Sequence, residues 1–186
     1  MADSIFMDAL MQFSAGDVAA GERVMELAYP ELKRMARRAL ATERAGHTLQ
    51  PTALVSEVWL KLNGEQGMYE SRARFFGLAA RAMREILVDY ARRRLADKRN
   101  SGEAPVHFVE CQFLASGLPF TELITLDQAM DKLAGLDPRK ARVVEMRFFA
   151  GLDDGEIAQV LAVSERTVKR DWLFARAFLF GQVYGE

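Results

Sequence analysis

The chain has 186 residues, half of them apolar and 27% charged, with a formal net charge of −1. That balance suits a globular chain with a proper core and argues against indiscriminate nucleic-acid binding. Its only cysteine, Cys111, cannot form an internal disulfide, and no cysteine or histidine cluster has zinc-ligand spacing. A reducing cytoplasm is therefore the expected compartment, with neither metal nor cofactor expected. The first ten residues carry two aspartates and no basic region, unlike a signal peptide, and no apolar run approaches transmembrane length.

Helical periodicity dominates and no convincing alternating strand run is visible, so the expected fold is all-α. A first helix is expected over Ile5 to Ser14, with Phe6, Leu10 and Phe13 on one face and Gly16-Asp17 as its breaker. A longer helical stretch follows from Val18 to Ala45, with Val24, Leu27, Ala28, Leu32, Met35, Ala36 and Leu40 as its stripe. Pro30 is expected to kink or split it. Residues 46–51 read as a loop, and Pro51 opens a helix over Thr52 to Leu62. Its Leu54/Val58 and Val55/Trp59 pairs make an apolar surface wide enough for either a core or a partner.

Beyond a glycine-containing loop, residues 68–76 interleave Tyr69, Phe75 and Phe76 with Arg72 and Arg74. Rings that stack on bases, beside cations that meet phosphates, are how single strands are held; helix packing is the competing use of the two phenylalanines. A long helix is expected from Ser71 to Asp97, with Arg74, Arg81, Arg84, Arg92 and Arg93 off its buried side. Residues 81–99 hold seven basic side chains against three acidic ones. Residues 100–120 lose periodicity and read as a linker between an N-terminal domain, 1–99, and a C-terminal domain, 121–186. Thr121 to Gly135 restarts the helical pattern. Asp137-Pro138 caps and opens a further helix, and Gly151 ends it.

The last stretch carries the clearest motif. Asp153 and Glu156 form a capping pair for a helix bearing Ile157, Val160 and Leu161, and Ser164 caps a second helix. Val168, Trp172, Ala175 and Leu179 are its expected buried face, while Glu165, Arg166, Lys169 and Arg170 face outward. Two helices joined by a tight turn, the second basic at its start, have the layout of a helix-turn-helix DNA reader; a helical hairpin with a solvated basic face shares that pattern. Later in the same helix, Leu173, Phe174, Phe178, Phe180, Val183 and Tyr184 encircle the axis, so one face cannot bury them all. Packing on the N-terminal domain, on a partner, or in a thicker local core would account for them.

With these motifs in order, the chain resembles a bacterial sigma factor of the extracytoplasmic-function class along nearly its whole length. Residues 54–62 are similar to the family helix that docks on the clamp of RNA polymerase, and residues 84–94 to the helix that reads the minus-ten element. Residues 136–179 are similar to the domain that reads the minus-thirty-five element. The resemblance implies partners, core RNA polymerase and promoter DNA. It assigns Leu54, Val55, Glu57, Val58 and Trp59 to the clamp, and Tyr69, Arg72, Arg74, Phe76, Arg81, Arg84 and Arg92 to the minus-ten strand. Ser164, Arg166, Thr167, Lys169 and Arg170 fall to the upstream duplex. A helix-turn-helix repressor or activator with a helical sensing or dimerisation domain is the alternative. An enzyme is not expected: His47 and His107 have no nucleophile or carboxylate at useful spacing, and no glycine-rich phosphate loop is present.

One departure from the family has consequences. Relatives precede the clamp helix with several acids, where this chain has Gln50-Pro51-Thr52-Ala53. A phosphate there would supply about −1.5 to −2 charges at a helix N-terminus. The expectation is a Ser/Thr kinase acting at Thr52 first, with Thr48 and Ser56 behind it; simple capping by the hydroxyls is the alternative. An inhibitory anti-sigma protein is the other regulatory partner the resemblance suggests.

Overall fold

The structure, a computed structural model, describes residues 2–40, 49–64, 69–101 and 120–184. The described elements are all helical: α1 (Ala2–Ser14), α2 (Val18–Ala39), α3 (Pro51–Gly64), α4 (Arg72–Ser101), α5 (Phe120–Leu136), α6 (Pro138–Val144), α7 (Asp154–Leu161) and α8 (Glu165–Tyr184). A π-helical segment, Glu145–Ala150, continues α6 without a break. Most of the expected linker, residues 102–119, lies outside the described residues, as does the expected end of α2 beyond Leu40.

Aromatic packing fixes the N-terminal helices. Phe6 on α1 meets Phe75 edge-on at 5.6 Å and stacks on Phe76 at 6.0 Å, while Phe13 stacks on Trp59 of α3 at 5.5 Å and on Tyr69 at 5.8 Å. Such pairs add about 0.5–1.5 kcal/mol each beyond the area they bury. Gly21 of α2 lets Phe13 approach, since a Cβ there would lie 3.0 Å from the ring.

Pro30 does not split α2, which runs unbroken through it. Pro30 and Glu26 are both exposed, so the Glu26 carbonyl that loses its amide partner is open to water. The C-terminal signals hold. Asp137 accepts from the amides of Arg139 and Lys140 with Pro138 in the first turn, and Asp153 and Glu156 form the reciprocal capping box. Ser164 Oγ accepts from Thr167 N at 3.2 Å. Gly151 ends the π-helical segment in the left-handed region at φ 70°. That conformation favours glycine, and a Cβ there would also collide with the Arg38 guanidinium.

The buried side chains of the first four helices and of the last four join in one continuous cluster, from Phe6 to Leu179. The junction is made by α4, which packs on α5, on the π-helical segment and on α7, with α2 touching the same segment. Gly77 of α4 marks the closest approach; a Cβ there would lie 3.3 Å from Met146 Cε.

Candidate nucleic-acid and polymerase interface

On α3 the apolar residues turn inward. Leu54, Val55 and Val58 are fully buried and Trp59 is half-buried against Phe13. Of the clamp residues suggested by the resemblance, Glu57 is exposed and Trp59 is partly so. Leu60, which the sequence did not single out, is 71% exposed and shares a face with Ala53, Ser56 and Glu57 at helical spacing. Its apolar character hid it among the core positions of the same helix. The first turn of α3 has no acid, and Thr52 is exposed there. Ser56 Oγ donates to the Thr52 carbonyl at 3.0 Å, while Thr48 lies outside the described residues. Lys61 reaches across to Glu85 of α4 at 3.0 Å, and Arg81 meets the same carboxylate at 3.0 Å. Burial pushes the Glu85 carboxyl up, but the hydrogen bonds from Lys61 and Arg81 outweigh it and its pKa ends below the ordinary value.

The aromatic and arginine group at the start of α4 is arranged differently from a base-stacking platform. Tyr69 and Phe76 are core residues, 3% and 2% exposed, and the Tyr69 hydroxyl donates to the Leu62 carbonyl. In this arrangement neither ring is open to a base. Arg72 lies over the Phe6 and Phe76 rings at 5.3 and 5.1 Å, and Arg74 pairs with Glu70 at 3.4 Å. Along α4, Arg81 and Arg92 are exposed. Arg84 is not: its side chain is 11% exposed, with Nη1 2.6 Å from Asp127 of α5 and Nη2 3.0 Å from Glu145 of the π-helical segment. Arg92 Nη2 reaches the other Asp127 oxygen at 3.1 Å. Burial raises the pKa of both carboxylates above its ordinary value, and the nearby arginine charge only partly offsets that.

The helix-turn-helix presents its polar face to solvent. Arg166, Lys169 and Arg170 are exposed at the start of α8, and Thr167 is half-exposed with its Oγ1 3.0 Å from Ser164 Oγ. Lys169 lies 3.8 Å from Glu165, while Arg166 has no partner among the described residues. Two arginines set the angle of this helix. Arg139 of α6 donates from Nε to Asp171 at 2.7 Å, and Asp171 is 1% exposed. Arg147 meets Asp154 at 2.8 Å and lies over the Trp172 ring at 4.9 Å. The buried face of α8 is accordingly Val168, Asp171, Ala175 and Leu179, with Trp172 half-buried beside it. Further along, Leu173, Phe174, Phe180 and Tyr184 are all exposed; α8 packs on α5, α6 and α7, while the approach to the N-terminal helices is made by α5, the π-helical segment and α7.

No helix of the described residues is long and apolar enough to cross a membrane, and no group of three or more acidic, histidine or cysteine side chains among them could hold a metal ion. A family model described as "ECF sigma factor" matches residues 4–184. Among solved structures, that of CnrH in complex with the cytosolic domain of CnrY is similar over 96% of this chain and 95% of that one, at 19% identity and a TM-score of 0.44. No curated relative matches the chain.

Proposed function

The chain belongs to the ECF sigma factor family, and we propose on that basis that it binds core RNA polymerase and directs it to a two-part promoter. The family match from residue 4 to 184 carries this, because it takes in the N-terminal helices as well as the helix-turn-helix. The basic face at the start of α8 suits the major groove of the upstream duplex, where Arg166, Thr167, Lys169 and Arg170 meet bases and phosphates and Ser164 caps the helix. The basic side of α4, with Arg74, Arg81, Arg84 and Arg92, suits the melted minus-ten strand. The domain division falls in the segment between α4 and α5.

Docking on the polymerase clamp uses the outer face of α3, with Glu57, Trp59 and Leu60 meeting the clamp, while Leu54, Val55 and Val58 hold that helix in place. Thr52 is the regulatory position of this face. Its exposed hydroxyl stands in a first turn without acids, so a Ser/Thr kinase that phosphorylates it adds the negative charge that a basic clamp surface requires. Co-migration with core polymerase tests both parts. Thr52→Glu should bind more tightly than Thr52→Ala. Equal binding of the two, with full activity of unphosphorylated protein, removes the switch and leaves the sigma assignment. Absence of any co-migration removes the assignment itself.

A further inference from the structure

Two of the α4 arginines that suit promoter DNA, Arg84 and Arg92, already have anionic partners from the other half of the chain. Arg84 is clamped between Asp127 on α5 and Glu145 on the π-helical segment, at 2.6 and 3.0 Å, and Arg92 shares Asp127 at 3.1 Å. Asp131, one turn beyond Asp127, stands 4.0 Å from the same guanidinium. These carboxylates lie 35 to 61 residues from the arginines they meet, so the cluster exists only when the C-terminal helices are folded against α4. Elsewhere between the two halves the packing is close: Met146 covers Gly77, and Arg38 covers Gly151.

We propose that this is a closed, self-shielded state, in which Asp127 and Glu145 occupy the positions of DNA phosphates on α4 and must be displaced before the minus-ten strand can bind. The inference rests on the assignment of α4 to that strand. Its physical basis is the kind of interaction involved. A buried ion pair gains Coulomb energy but loses the hydration of both partners, so it specifies an arrangement without stabilising it strongly. Here Arg84 Nε has no hydrogen-bond partner, and burial leaves both carboxylates easier to protonate than usual. An ion pair of that kind is exchangeable for phosphates, whereas an apolar seam of the same area would not be. Near-neutral net charge keeps the free chain off DNA at long range, and the carboxylates do so at close range. Engagement of α3 and α8 by polymerase and duplex would then draw the halves apart.

The test uses the full chain carrying Asp127→Asn and Glu145→Gln together, which keeps shape and removes charge. Closure is followed by energy transfer between dyes at Gln12→Cys and Gln159→Cys in a Cys111→Ser background. DNA binding is followed with a labelled mixed-sequence single strand of about 20 nucleotides, at low salt because such interactions are strongly screened. A control, Glu22→Gln with Glu26→Gln, changes the net charge equally on an exposed part of α2. Transfer should fall in the shielding variant and hold in the control. Strand affinity should rise about tenfold over the control, as expected when a state about one-tenth populated becomes dominant. Gly77→Leu, which must displace Met146 without changing charge, should lower transfer too. Unchanged transfer in both opening variants overturns the closed state while leaving the assignment of α4 intact. A fall in transfer with no gain in strand affinity overturns the shielding and the assignment of α4 together.

Discussion

Replacing Arg139 should cost more than replacing the aspartate it serves. Asp171 lies on the buried face of α8 at 1% exposure, and Arg139 Nε donates to its Oδ2 at 2.7 Å, while Oδ1 has no hydrogen-bond partner among the described residues. The arginine side chain is 41% exposed. Arg139→Ala therefore leaves a buried carboxylate whose nearest remaining cation, Arg170 Nε, is 3.8 Å from Oδ1. Stranding a buried charge costs about 3–5 kcal/mol, reduced here to about 2–4 kcal/mol by the nearby Arg170 charge. Asp171→Ala leaves only a guanidinium that can turn to water, plus a small cavity, and should cost about 1–2 kcal/mol. Because one carboxylate underlies both effects, the double variant should be close to Asp171→Ala alone. Urea unfolding of the four proteins gives the cycle directly. If Arg139→Ala costs below about 1 kcal/mol, or costs the same with and without Asp171, then Arg139 does not hold a buried charge in place and the orientation of α8 has another cause.

Other consequences are equally open to measurement. Gly151→Ala must adopt φ 70° and push aside the Arg38 guanidinium, so thermal unfolding should show a loss of about 1–2 kcal/mol. Asp153→Ala removes the cap of α7 and one half of its capping box, at a cost of about 1 kcal/mol by urea unfolding, with Asp153→Asn largely retaining stability. Burial raises the Glu145 carboxyl above its ordinary 4.5 despite Arg84 and Arg81, so the folded protein holds that proton more tightly than the unfolded chain. That contribution to stability is present below pH 4.5 and is lost as pH rises through the raised folded value. Glu145→Gln should remove this part of the stability–pH slope, and an unchanged slope would contradict the burial of that carboxylate.

The parts of the fold that were legible in the sequence are those fixed by short-range chemistry. Asp137-Pro138, the Asp153/Glu156 pair, Ser164 and Gly151 each set a helix end through interactions with residues close by in the chain, and all four act as expected. The outward face of α8 followed from the same local logic. What could not be seen depends on partners distant in the chain. Asp171 has the spacing of a core position with Val168, Ala175 and Leu179, but an acid enters a core only with a partner, and that partner is 32 residues upstream. Arg84 resembled a solvated arginine because Asp127 and Glu145 follow it by 43 and 61 residues. Tyr69 and Phe76 alternate with arginines as stacking rings do, yet the apolar face of α1 claims Phe76 and Phe13 claims Tyr69. Of the kink or split expected at Pro30, the split does not occur, because its exposed position on α2 leaves the freed carbonyl to water.

Transcription from a reconstituted polymerase tests the central claim most directly. Core enzyme, the chain, and a library of upstream fragments from the source genome should yield discrete start sites that are absent without the chain. Arg166→Ala with Lys169→Ala should weaken use of those sites by about 1–3 kcal/mol for each base-reading side chain removed, while leaving co-migration with core unchanged. Start sites that are the same with and without the chain, for both the unphosphorylated protein and Thr52→Glu, would contradict it.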